Sequence, residues 1–319
     1  MSSTDRLPAG AADNAWVQAM PAVFVLIWST GFVVARLGMP HAPPFGFLTW
    51  RYAMSLLLFV LWAGLARAAW PQGRSQWLHL AVTGVLMHGG YLGGVWSAVK
   101  AGLGAGTVAL IVGLQPLITA VWMSAQGPAH SVNARQWLGL AMGLAGLLLV
   151  VLDKLGAGQA TAANLAMALA ALASITAGTL YQKRWLAPCD VRSAVVVQLL
   201  AALVVSAPLA LLETEAMDWH RDLVLAMGWS VFALTLGGSS LLYLLIQRGA
   251  ATRVSSLMYL VPPCTAIMAW LMFDERPLAS IPPAMAKPLP MRSTTPQGMR
   301  ASANSQSSNP RPCVRDGRR

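Results

Sequence analysis

The chain is 319 residues long, 56% hydrophobic and only 10% charged, with a mean hydropathy of +0.57 and a formal net charge of +11. That is too little polar surface to cover a water-soluble globule of this size, so the composition points to lipid. Nor does the charge imply a nucleic-acid partner: residues 277–319 alone hold Lys287, Arg292, Arg300, Arg311, Arg315, Arg318 and Arg319 against the single acid Asp316.

Crossing a hydrocarbon core of roughly 30 Å takes about 20 mostly apolar residues as a helix. After an amino-terminal tail, 1–15, nine such stretches follow, at 16–38, 45–66, 76–98, 104–125, 136–153, 163–182, 193–212, 223–246 and 253–273. The first has no small-residue cleavage site before the next span, so it is expected to stay rather than be removed as a signal peptide. It carries Trp28 and Ser29 and ends at Arg36. In the second, Arg51 sits six residues in, where a charged side chain costs roughly 2.5–3.5 kcal/mol on insertion scales and must face protein, water or headgroups. Snorkelling to the helix end and service as a gate or anion contact are both open to it. Mid-way along the third, His88 stands beside Gly89 and Gly90, followed by Tyr91, Gly93, Gly94 and Trp96. An imidazole there can carry a coupling proton or hydrogen-bond a neighbouring helix.

The link Gly102-Leu-Gly104-Ala-Gly106 lacks the strand and the Lys-Ser/Thr context of a nucleotide loop, which excludes an ATP-driven pump. Pro116, next to Gln115, falls near the middle of the fourth span. A proline there removes one helical hydrogen bond and frees a carbonyl, predicting a kink beside a central cavity. Thr176 and Tyr181 lie in the sixth span, Gly237, Gly238, Ser239, Ser240 and Tyr243 in the eighth, and Tyr259 and Pro263 in the ninth. Helix packing and interfacial aromatic belts account for any one of these residues. Together they predict a cavity for a small polar or zwitterionic solute. No Asp or Glu lies in the centre of a span, so proton coupling through an intramembrane carboxylate has no candidate.

The apolar pattern repeats at a constant offset of 147, from Arg36 to Lys183, Lys100 to Gln247 and Pro116 to Pro263. This divides the chain into a five-helix repeat, 16–153, and a second repeat, 163–276, with four visible spans. A unit with five crossings is odd-numbered, so its second copy enters from the opposite side and the copies become inverted, as in alternating-access carriers. With a cytoplasmic amino terminus, that side receives nine loop cations, Arg6, Arg67, Arg74, Arg135, Lys183, Arg184, Arg192, Arg248 and Arg253. The other receives five, Arg36, Lys100, Lys154, Arg221 and Arg276. The bias places the amino terminus inside. Cys189, Cys264 and Cys313 have no disulfide or metal-ligand spacing. No catalytic cluster, metal site or cofactor motif is assembled, and His41, His79, His130 and His220 are scattered in loops or near span ends.

Residues 277–319, rich in Pro, Ser and Arg, are expected to be disordered. Applying the offset to the fifth span predicts a tenth helix at about 282–300, where the chain instead reads Pro-Pro-Ala-Met-Ala-Lys-Pro-Leu-Pro-Met-Arg. The abrupt change after Asp274-Glu275-Arg276-Pro277 suggests a reading-frame shift or aberrant terminus, which resequencing beyond Pro277 would test.

Leu26-Ile-Trp-Ser-Thr-Gly-Phe-Val-Val-Ala-Arg36, then Pro43-Pro44-Phe45 and Phe47-Leu-Thr-Trp-Arg51, resemble the start of an EamA-type permease of the drug/metabolite transporter superfamily. The segment Gly104 to Pro116, its partner Thr252 to Pro263, and the ending Phe273-Asp-Glu-Arg276 fit the same family, over about residues 20–276. The resemblance implies ten helices in two inverted repeats and movement of small metabolites, often outward, with amino acids and related compounds as substrates. The expected protein is therefore an all-α, multi-pass carrier of the bacterial-type plasma membrane, not an enzyme. Its expected partners are a small-molecule substrate and the bilayer, with a homodimer left open and no nucleic acid. Drug efflux and an inactive or non-transporting membrane protein are the alternatives.

Overall fold

The computed structural model describes residues 9–125, 134–156, 158–238, 240–241 and 260–275. Tyr243, Tyr259 and everything from Arg276 onward, including the stretch expected to hold a tenth helix, lie outside these. The described residues form helices and turns and no strand. They comprise α1 (Ala9–Gly38), α2 (Pro44–Leu65), α5 (Ala134–Gly156), α6 (Ala162–Trp185), α7 (Val191–Leu212) and α9 (Val261–Phe273), with three helices of irregular build between them. The continuous α3 passes from Gly73–Gly84 through a π-helical stretch, Val85–Gly90, into Tyr91–Lys100. The fourth span, α4, is broken into Ala105–Val112 and Gln115–Ser124. Finally, α8 starts as Arg221–Trp229 and continues as a second π stretch, Ser230–Gly237.

The chain is an all-α polytopic membrane protein. Five of its helical stretches are long and apolar enough to cross a bilayer by length and composition, among them Pro44–Leu65 and Val191–Leu212. Large apolar side chains such as Leu57, Val204 and Leu211 point outward, while Ser29, Ser55, Thr83 and Thr265 are fully buried. Where lipid is the solvent, apolar groups can face out and polar ones find partners inside.

Helix starts are closed by local chemistry. At α6 the Asn164 amide donates to Thr161 Oγ1 (3.2 Å) and the Thr161 amide donates to Asn164 Oδ1 (2.8 Å), a reciprocal cap. At α7 the Arg192 amide donates to Asp190 Oδ1 at 3.0 Å, and Arg192 Nη2 reaches Asp190 Oδ2 at 2.7 Å. The hydrogen-bonded Arg192 side chain holds the Asp190 carboxyl below the usual carboxylate range. The start of α2 is closed from a distance, because the Phe45 and Gly46 amides donate to the Glu213 carboxylate at 3.0 and 2.8 Å.

Packing follows the repeat. α1 lies against α8 as α6 lies against α3, α2 against α8 as α7 against α3, and α1 against α9 as α6 against α4, while α2 pairs with α7 and α4 with α9. Lys100 donates to the Met39 carbonyl at 2.9 Å and Asn164 to the Ala101 carbonyl at 3.3 Å. The exit of α1, the exit of α3 and the entry of α6 therefore share one end of the bundle, so the two repeats run in opposite directions. The π stretches also correspond: shifting Val85–Gly90 by 147 gives 232–237, inside Ser230–Gly237. Helices close to backbone contact at Gly84, where a Cβ would overlap the Gln198 backbone of α7, and at Gly94, where it would lie 2.7 Å from the Met167 carbonyl of α6.

Candidate functional site

A partly open cavity of about 100 Å³ lies within this packing. Its wall is built by Trp28, Gly31 and Phe32 of α1, Arg51 of α2, Met87, His88, Tyr91, Leu92, Val95 and Trp96 of α3, Ile175 of α6, and Leu234 and Thr235 of α8. Both π stretches contribute, and π turns recur at functional sites because they re-aim side chains and free carbonyls. Here the His88 carbonyl receives the Tyr52 hydroxyl at 2.7 Å, and the Leu86 carbonyl receives the Ser174 hydroxyl at 2.9 Å.

Three pairs of repeat equivalents meet on the wall. Trp28 and Ile175, Met87 and Leu234, and His88 and Thr235 are each 147 residues apart, as are Arg51 and Gln198. Arg51 is 7% exposed, and its Nε and Nη2 donate to Thr235 Oγ1 over 3.4 and 3.3 Å. Those bonds are long for N–H···O contacts, and the acceptor is neutral. Among the described residues no carboxylate pairs with Arg51. Burial rules out snorkelling: the guanidinium reaches across to α8 instead of out to the helix end. The Thr235 hydroxyl is itself satisfied by donating to the Ser230 carbonyl at 2.9 Å. At the equivalent place on the other side, Gln198 of α7 is a neighbour of the His88 imidazole. The Arg51–Thr235 link joins one repeat to the other.

Of the residues singled out from the sequence, Trp28, Arg51, His88 and Tyr91 come together on this wall. Ser29 is buried behind it, donating to the Val25 carbonyl (2.7 Å) while its own carbonyl accepts from Thr265 of α9 at 3.1 Å. Its equivalent Thr176 donates to the Leu172 carbonyl of its own helix at 2.7 Å. Gln115 donates to Thr179 of α6 at 2.9 Å. Pro116 follows the break in α4, and Gly113 at the break packs against Pro262. Pro263 stands exposed in the first turn of α9. Tyr181 lies at the opposite end of α6 from Asn164, where its hydroxyl meets His79 Nδ1 at 2.8 Å beside Trp185. Thr235 and Gln198 were not singled out, although adding the offset to His88 and Arg51 leads to them.

Two larger recesses have other characters. A groove of about 790 Å³ between α3 and α7 is lined by Trp77, Leu78, Ala81, Val197, Leu200 and Val204 among others, and faces the lipid side. A polar recess of about 460 Å³ opens at the Arg36 end, where Arg36 Nε meets Glu275 Oε1 at 3.0 Å. At the same end His41 and His220, scattered in sequence, stack at 4.5 Å with Asp222 beside them, their donor atoms all within 4.8 Å. Both imidazoles are engaged, His41 with Asp218 and His220 with the Asp222 amide.

Oppositely directed helical repeats that meet around a largely apolar cavity holding one buried cation are the architecture of membrane transporters. The chain belongs to the EamA-like transporter family, whose model matches residues 16–152 and again 162–280. It is 23% identical over 263 residues to a probable amino-acid metabolite efflux pump of Escherichia coli (strain K12), covering 79% of this chain and 85% of that protein. It is also 25% identical over 141 residues to an uncharacterized transporter of Archaeoglobus fulgidus, covering 43% of this chain and 46% of that one. A solved structure described only as a crystal structure of protein aligns with a TM-score of 0.48 at 20% identity, covering 80% of this chain and 98% of its own.

Proposed function

We propose that the protein is a secondary transporter that exports small metabolites, amino acids or related compounds, by alternating access between the repeats 16–153 and 163–276. The observation that carries this reading is the cavity between the repeats, where three pairs of repeat equivalents meet beside the buried cation Arg51. At about 100 Å³ it holds roughly three waters' share of liquid volume, well below the roughly 300 Å³ at which ligand pockets begin. A solute enters only when the repeats part. The links to be opened are hydrogen bonds worth about 1 kcal/mol net each, few and weak enough for reversible rocking. The reading also places the chain in the plasma membrane with its amino terminus cytoplasmic, supported by the loop cations.

Counterflow in proteoliposomes, with a panel of labelled amino acids and cationic drugs, tests the proposal. Exchange of at least one amino acid is expected. Flux confined to the drugs would replace the reading with drug efflux, and flux of neither would overturn it.

A further inference from the structure

We propose that Arg51 is the receptor for a carboxylate on the transported solute, and that the solute, in binding, takes the guanidinium from Thr235 and so unfastens α2 from α8. The inference rests on the transport reading and adds the chemical class of the cargo and the contact by which cargo opens the cavity.

A guanidinium carries five N–H donors in a planar fork that matches a carboxylate with two parallel bonds. In this cavity its partner is one neutral hydroxyl, held by two long bonds. None of the described lining residues is acidic. The counter-ion that a buried cation calls for must therefore come with the solute. Among the described lining residues Arg51 is the one permanent cation. A carboxylate thus has one place to go, and its apolar remainder meets Trp28, Tyr91 and Trp96.

The exchange leaves nothing stranded. Thr235 keeps its hydrogen bond to the Ser230 carbonyl when the guanidinium departs, and the guanidinium trades a neutral acceptor for a charged one. What is lost is a link between repeats, so cargo that bears a carboxylate loosens the closed state while an analogue without one does not.

The test compares L-alanine, L-leucine, L-threonine and L-phenylalanine with their carboxamides, by binding (quenching of tryptophan fluorescence in the purified full chain) and by counterflow. Hydrogen bonds to charged groups predict about a ten- to hundredfold preference for acid over amide in the wild type, lost in Arg51→Gln. Thr235→Val is expected to keep that preference while counterflow quickens. Equal binding of acids and amides by the wild type, or a preference that survives Arg51→Gln in a monodisperse variant, would overturn the inference. Acid-selective binding that needs Arg51 but comes without counterflow would uphold it and sink the transport reading instead.

Discussion

The two repeats keep the same backbone at places where their side chains have parted company. The starts of α2 and α7, Pro44 and Val191, are 147 residues apart, and the π stretches correspond at the same offset. Yet α7 is capped by its own Asp190 and α2 by Glu213 from a far loop. The first repeat's α3 crosses α7 through Gly84, whereas the equivalent position in α8 is Val231. The cavity wall presents Arg51, Thr235 and His88, while Gln198, the equivalent of Arg51, is not among its lining residues. The backbone keeps its symmetry, and asymmetry in the side chains gives the cavity a single charged end at Arg51.

Removing one of these differences gives the largest expected effect. Gly84→Val, which copies Val231, drives side-chain atoms into the α7 backbone, and overpacking of this kind costs about 1–3 kcal/mol or more. Loss of the monodisperse peak in size-exclusion chromatography is expected, and an unchanged peak would mean that α3 and α7 can separate without cost. Next is Gln198→Ala beside Arg51→Gln. Gln198 is neutral, so its truncation should leave the acid-over-amide preference within about threefold of wild type, read by the same fluorescence titration. A larger change would make Gln198 part of the carboxylate site.

Capping separates the repeats more gently. Glu213→Gln removes a carboxylate from two helix-terminal amides, which costs about 1 kcal/mol and should lower the midpoint of thermal unfolding by about 2–4 °C. The smallest effect belongs to Asp190. Its carboxyl titrates below the usual range because of Arg192, so its contribution is complete above the ordinary carboxylate pKa and fades as pH falls through the lower, folded value. Asp190→Asn should cost under about 1 kcal/mol at neutral pH and flatten the acid limb of a stability–pH profile. An acid limb unchanged by the substitution would remove Asp190 from the account.

Much of this was legible in the sequence because lipid imposes a coarse code. Apolar runs of the right length located every described helix, and the offset of 147 located the second copy. Arg51, His88, Trp28 and Tyr91 stood out as polar or aromatic groups inside apolar runs, and they share one cavity wall. Thr235 and Gln198 did not stand out, since a threonine or glutamine in a span is unremarkable until the repeat is used to ask what faces Arg51 and His88. Tyr181 and Gln115 look equally suitable on a helical plot, but their partners, His79 and Thr179, come from other helices whose placement no local pattern encodes. The π stretches escape for a related reason: a change from four to five residues per hydrogen-bonded turn leaves the hydropathy profile almost untouched.

The reach of Glu213 has a consequence for biogenesis. The carboxylate that closes the second helix is synthesised 168 residues after the Phe45 amide it serves. Until the ribosome has delivered the loop beyond the seventh helix, that amide and its neighbour rely on interfacial water. A half-made chain can thread its early helices into the bilayer, but it holds one unfinished end that only its later half can seal.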